Sequence, residues 1–284
     1  MSIRHMLVID PQNDFCDLPT TYWAPDPGAG PKALNQPGLP VQGAHADMQR
    51  LAAFIRAQAS NIDAITVTLD SHQGVSIERP AMWMHADGKA LEPFTPIQAI
   101  DVQQGRYVVR NPEYAQRVLA YLQALEAQGR FTHMVWPPHC EIGTWGHQVH
   151  SDVLHAYRYW EQVSMQPVTK IIKGSNPFTE HYSAIVAEVP DSSDPASQLN
   201  QALLDSLDEA DQVIVGGEAA SHCVRCTLEH ILQYGRHGDL SRYVLLEDCV
   251  SVIKGFEQAY QEFLAFAQRN GLRVSRTTAV FDQS

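Results

Sequence analysis

The chain reads as an α/β protein, a doubly wound three-layer α/β/α fold around a mostly parallel six-stranded sheet. Three observations predict this. Short, β-rich apolar runs alternate with helical patterns along the chain, and several runs are near-continuously apolar, as strands covered on both faces must be. Chemically capable side chains also follow one run after another. The runs fall at 5–9, 64–69, 132–136, 169–172, 212–215, 243–246 and 273–277. Between them, apolar residues recur at helical spacing: Met48, Leu51, Phe54 and Ile55 share one face, as do Val118, Tyr121, Leu122 and Leu125, and Leu228, Ile231 and Leu232 repeat the pattern. These stripes are core faces. The length of 284 residues suits one α/β domain, expected to span 1–284, and no internal repeat or low-complexity tract interrupts it.

Two stretches break the alternation. Residues 17–40 carry many Pro and Gly and little periodicity, and 73–112 holds Trp83, His85, Phe94 and several prolines. Both are expected as long loops leaving the carboxyl ends of parallel strands, where ligands bind in open α/β sheets.

Composition narrows the partners. A formal net charge of −12 without a Lys/Arg cluster argues against nucleic acid. No apolar run is long enough to cross a bilayer, so no membrane partner is expected. The first ten residues run straight into a strand pattern without a signal-peptide layout, and the five cysteines form no dense framework. Both point to a reducing cytoplasm. The expected partner is a small molecule; homo-oligomerisation is left open.

The strand ends carry the chemistry. Asp10 follows the first run, Asp70 and His72 the second, His139 the third, Lys173 the fourth and Cys223 the fifth. An Asp at a strand end is usually a turn residue, and a lone His is more often surface or core than a ligand. Gathered at one sheet edge, the set indicates a site. The stretch 212–224 reads as a buried strand, a glycine turn and a helix beginning near Ser221, which puts Cys223 in the first helical turn, where free N–H groups stabilise a thiolate and a nearby oxyanion. Asp10 can take the thiol proton and return it to a leaving amine. Lys173 can hold neighbouring anions and lower the thiol pKa. Asp70, His72 and His139 offer one oxygen and two nitrogens, the ligand set of an open Zn²⁺ or Fe²⁺ site, and Asp-x-His on an extended segment puts both side chains on one face.

These residues resemble the nicotinamidase branch of the isochorismatase-like cysteine hydrolases. The resemblance spans 3–252 and is carried by Asp10-Pro-Gln-Asn-Asp-Phe15, Asp70-Ser-His72, Trp136-Pro-Pro-His-Cys140 followed by Gly143-Thr144, Lys173-Gly-Ser-Asn-Pro177 and Gly217-Glu-Ala-Ala-Ser-His-Cys223. It implies a triad of Asp10, Lys173 and Cys223 and a divalent metal on Asp70, His72 and His139, Zn²⁺ first, with Fe²⁺ or Mn²⁺ as alternatives. It further implies a cis Glu218–Ala219 peptide and an oxyanion hole from the N–H groups of Ala219 and Cys223. The implied reaction is hydrolysis of a small amide through a Cys223 thioester, nicotinamide to nicotinate plus ammonia being the favoured case. Phe15 and Trp136 are the candidates for stacking the substrate ring. Two departures bear on the substrate side: Ser71 stands where such enzymes commonly have Trp, and the segment between His72 and Trp136 is unusually long. The metal motif itself argues against the isochorismatase subgroup.

Three other readings compete. The same machinery could serve another small amide. A binding module keeping the fold would be expected to have lost a triad residue. Cys223-Val-Arg-Cys226 is a CxxC after a strand, a thiol–disulfide redox signature, although a dithiol site has no need of so many strand-end polar groups. Cys226 is expected to be packing, Cys16, Cys140 and Cys249 structural, and His222 at most a pocket-rim residue.

Overall fold

Strand β1 (Arg4–Ile9) anchors the fold because both of its faces are apolar. Met6 and Val8 enter one hydrophobic core while Leu7 and Ile9 enter the other, the two-residue alternation of a strand covered on both sides. The structure, a computed structural model, describes residues 2–281; Met1 and 282–284, the ends of the expected 1–284 unit, lie outside the described residues.

The main sheet contains β1, β2 (Ala64–Asp70), β7 (Thr169–Lys173), β8 (Gln212–Gly217), β9 (Tyr243–Leu246) and β10 (Arg273–Ser275). Its six strands run in the order β10-β9-β8-β1-β2-β7, and every neighbouring pair is parallel. Helices α1 (Ala44–Ala57) and α4 (Ser151–Ser164) cover one face through Met48, Leu51, Ile55, Val153 and Trp160. Helices α5 (Gln201–Asp208), α6 (Arg225–Tyr234) and α7 (Glu257–Arg269) cover the other through Leu204, Leu207, Leu228, Ile231 and Phe263. This is the doubly wound three-layer arrangement. The order reverses between β1 and β8, which puts the ligand-binding crevice outside their carboxyl ends.

Two expectations need correction. The run 132–136 does form a strand, β6 (His133–Val135), but it lies outside the main sheet. It pairs antiparallel with β4 (Thr95–Ile97), and Val135 faces a third core. The segment 73–112 is likewise more than a loop. It contains β3 (Trp83–His85), β4, α2 (Ala99–Gln103) and β5 (Tyr107–Val109), with β3 and β5 forming an antiparallel pair. Ile77, Met82, Trp83, Leu91, Ile97 and Val109 pack against Val118, Tyr121, Leu122 and Leu125 of α3 (Ala115–Gln128). Burial of those apolar side chains orders a stretch whose local pattern is irregular. The 17–40 stretch stays irregular, with one 3₁₀ turn at Thr20–Tyr22. No helix among the described residues is long and apolar enough to cross a membrane.

Candidate active site

Four main-sheet strands end at one crevice. Ile9 is paired with Gly217, and Asp70 with Lys173, so register alone brings the ends of β1, β8, β2 and β7 level. Gly217 is required where it stands. Its φ is +127°, and a Cβ there would come within 1.9 Å of the Ile9 carbonyl oxygen. Asp10, directly after β1, adopts the left-handed region at φ +43°, uncommon for a residue with a side chain. Its backbone N–H donates to Thr68 Oγ1 at 3.0 Å, and the Thr68 hydroxyl donates back to Asp10 Oδ1 at 2.5 Å.

Lys173 is the hub of the group. Its buried Nζ lies 2.9 Å from Asp10 Oδ2 and 2.9 Å from Asp70 Oδ1, donates to the His181 carbonyl at 3.0 Å, and reaches Cys223 Sγ at 3.7 Å. Burial alone would discharge the ammonium, but Asp10 and Asp70 hold its pKa well above the ordinary value. Burial raises the Asp10 carboxyl against the pull of Lys173. Burial also pushes the Cys223 thiol well up, with Lys173 pulling down and Asp10 and Asp70 pushing up. Burial thus works against the expected stabilised thiolate, and the thiol has a carboxylate of raised basicity beside it.

Cys223 does not sit in a first α-helical turn either. It lies in a π-helical turn, Ala220–Val224, that precedes α6, and Val224 N–H reaches back five residues to Ala219 O at 3.2 Å. The Glu218–Ala219 peptide is cis, as the resemblance implied. Among the described residues no hydrogen bond from the Ala219 N–H is seen, and Ala219 lines the cavity.

The second group stands beside the first. The nitrogens and oxygen that Asp70, His72 and His139 offer all lie within 4.8 Å of one another, and all three residues are buried. Asp70 Oδ2 lies 2.7 Å from His72 Nε2 and 3.4 Å from His139 Nε2. The outer ring nitrogens are held from behind. His72 Nδ1 pairs with Glu78 Oε1 at 2.9 Å, and His139 Nδ1 lies 2.8 Å from the Pro137 carbonyl and 2.9 Å from Arg79 Nη1. A metal ligand needs Nε2 as a lone pair, so a bound cation would take the place of the proton that His72 Nε2 shares with Asp70. Burial moves His72 down, but Asp70 and Glu78 overcome it and bring it to about 10, whereas burial, helped by Arg79, takes His139 down to about 4. One acidic and two imidazole donors converging on a point fit a divalent cation. Gly174, at φ +85°, leaves room for them, since a Cβ there would meet Asp70 Oδ1 at 3.2 Å.

One cavity joins the two groups. Phe15, Trp136, Asp70, His139, Ala219 and Cys223 all line it, so every candidate substrate contact shares one space with the nucleophile and the metal-type group. His222, expected at most at the pocket rim, lines it too. The wide π turn places successive residues differently from an α turn, and the ring stands edge-on to Trp136 with centroids 5.2 Å apart. Cys226 is buried away from this set, where Glu188, Glu229 and Arg130 act on it.

Several supporting residues carry no signal in the local pattern. Gln12 grips the Asp70 backbone from both sides, accepting from its N–H and donating to its carbonyl, each at 2.7 Å. Asp14 accepts from Cys140 N–H at 2.6 Å and Gly38 N–H at 2.8 Å, which holds the His139 segment. Arg79 also donates to the His139 carbonyl. Glu180, which burial raises to about 8, and Tyr182 complete the cavity wall. The clues the sequence offered are the place of Gln12 and Asp14 inside the Asp10-to-Phe15 motif and the unlike pair Glu78-Arg79, flanked by Ile77 and by Pro80-Ala-Met-Trp83.

No family model and no curated protein matches the chain. Solved structures do. The yeast nicotinamidase Pnc1p bound to the inhibitor nicotinaldehyde matches with a TM-score of 0.61 at 17% identity, covering 96% of this chain and 100% of that chain. The chain shares its fold. An Acinetobacter baumanii nicotinamidase–pyrazinamidase matches with a TM-score of 0.59 at 20% identity, covering 99% of both chains. A Pyrococcus horikoshii pyrazinamidase in complex with zinc matches with a TM-score of 0.52 at 18% identity, over 96% of this chain and 98% of that chain.

Proposed function

We propose that the protein is a cysteine amidohydrolase acting on a small aromatic amide, with nicotinamide to nicotinate plus ammonia as the favoured reaction. One observation carries this reading: a single buried lysine contacts Asp10, Asp70 and Cys223, and the last two line one cavity together with His139. The shared fold with proteins named nicotinamidases and pyrazinamidases supports it.

Asp10 takes the Cys223 proton as the amide carbonyl arrives, and the sulfur adds to the carbonyl carbon. The oxyanion accepts from the N–H groups of Ala219 and Cys223, donors worth roughly 3–4 kcal/mol each in comparable sites. Asp10 then gives its proton to the departing ammonia. Water adds to the thioester and releases the acid, and the proton returns to sulfur. Lys173 stays charged throughout and keeps Asp10 and Asp70 from repelling each other. Asp70, His72 and His139 would hold a divalent cation, zinc being the first choice, which when bound supplies a Lewis acid for a heteroaromatic ring nitrogen. Phe15 and Trp136 flank that ring. The reaction belongs with cytoplasmic handling of a small molecule.

Ammonia release from nicotinamide, benzamide and an aliphatic amide, with and without chelator, tests the reading. Chelator-sensitive preference for nicotinamide is expected. Equal rates on nicotinamide and benzamide would leave an amidase of other specificity. No release from any amide, with disulfide exchange in its place, would leave the redox reading.

A further inference from the structure

The mechanism above gives no role to Glu218, although it is fully buried and adjoins the turn that carries Cys223. Its N–H donates to the Ile9 carbonyl at 2.8 Å, and its Oε2 accepts from Ser251 N–H at 3.1 Å. The Ser251 carbonyl accepts the Ala220 N–H at 2.8 Å, and the Ser251 hydroxyl donates to Asp47 on α1. The peptide groups on either side of the Ala219 N–H are thereby tied to β1 and to the Ser251 segment, leaving that N–H as the free donor. Among the described residues Glu218 Oε1 accepts no hydrogen bond, and Ser251 holds the two carboxyl groups together, Glu218 on its N–H and Asp47 on its hydroxyl. Two carboxyl groups in contact are both satisfied only when one carries a proton and donates it to the other. Asp47 has Arg50 as a cationic partner, while burial and the Asp47 charge push Glu218 well up, so the proton belongs to Glu218. Asp17 also acts on this pocket as a negative charge, and no cation is among the leading influences on Glu218.

We propose that Glu218 is a positioning residue, a neutral acid that donates to Asp47, accepts from Ser251 and so fixes the Ala219 N–H for the oxyanion. This inference rests on the reading of Cys223 as the nucleophile of an amide hydrolase. Glutamine keeps both hydrogen bonds, its amide donating to Asp47 and its carbonyl accepting from Ser251. Leucine fills similar space and keeps neither.

The test compares parent, Glu218→Gln and Glu218→Leu in amide hydrolysis, in alkylation of Cys223 by iodoacetamide and by infrared difference spectroscopy. Glu218→Leu should lower kcat by about ten- to a hundredfold with KM within about twofold, because only a transition-state donor is misplaced. Alkylation forms no oxyanion and should stay within about twofold, and Glu218→Gln should recover kcat to within about threefold of the parent. The parent should show a protonated-carboxyl band that Glu218→Gln removes. Parent-like kcat in Glu218→Leu, equal losses in Gln and Leu, or parallel losses of kcat and alkylation would overturn the proposal. Absence of amide hydrolysis in the parent defeats the hydrolase reading. In that event, or if Glu218→Leu fails to fold, the infrared band decides: its absence from the parent overturns the shared proton.

Discussion

Asp10, Lys173 and Cys223 are carried by three strands of one parallel sheet, whereas His72 follows β2 and His139 follows β6, both in irregular segments. The first group inherits its spacing from backbone register, Ile9 against Gly217 and Asp70 against Lys173, and Thr68 is the main brace. The second is assembled by side chains reaching far along the sequence, Gln12 to Asp70, Asp14 to Cys140, and Arg79 to Pro137 and His139, with Glu78 pairing locally with His72. Asp70 belongs to both, since it ends β2 and shares Lys173 with Asp10. A sheet-held group should lose function only through its own chemistry. A brace-held group should lose function through residues that touch neither substrate nor cation.

Changes in the triad should show the largest effects. Cys223→Ala should cut ammonia release by at least about 10⁴-fold, as removal of a nucleophile does in comparable enzymes. Asp10→Asn removes both the acid and the base and should cost about 10²–10⁴-fold in kcat, measured under saturating amide. Substantial residual turnover in either variant would detach the sheet-held group from the chemistry.

Lys173→Met should follow. It leaves Asp10 and Asp70 buried against each other, so urea titration should show a loss of about 3–5 kcal/mol, the usual penalty for breaking a buried pair. The pH profile of iodoacetamide alkylation gives the sign of the electrostatic role. Lys173 pulls the Cys223 thiol down, so its removal should move the profile to higher pH. A profile that stays put removes Lys173 from the thiol's environment.

The other side of the comparison is broken or sharpened at the imidazoles. His72→Ala should lose bound metal by elemental analysis and weaken nicotinamide hydrolysis far more than benzamide hydrolysis, because benzamide has no ring nitrogen to donate. Gln12→Leu and Arg79→Met should weaken metal affinity by about 10–100-fold, the usual range for residues that orient ligands, while Cys223 alkylation stays near the parent rate. If these two variants hold metal as tightly as the parent does, the braces are ornamental and the contrast between the groups collapses. The smallest effect belongs to Cys226→Ala, which should keep most of the activity because Cys226 faces Glu188, Glu229 and Arg130.

What the sequence determined by itself follows from local rules. Apolar period and glycine turns located β1, β2, β7, β8, β9 and β10, and with them the parallel sheet and the strand-end positions of Asp10, Lys173 and Cys223. The same rules misplaced β6, because a short apolar run does not state its partner; β4, nearly forty residues earlier, claimed it by antiparallel pairing of Ile97 with His133. They also read 73–112 as a loop, since its order comes from packing Trp83 and Ile97 against α3, a contact no local pattern encodes. At the site, Asp-x-His marked Asp70 and His72, but the roles of Gln12, Asp14, Glu78 and Arg79 rest on bonds spanning up to 126 residues. The place of His222 and the upward push of burial on the Cys223 thiol were likewise decided by tertiary structure. Orientation in a π turn and the cost of burying charge both depend on what surrounds a residue, and neighbours in the chain do not supply that information.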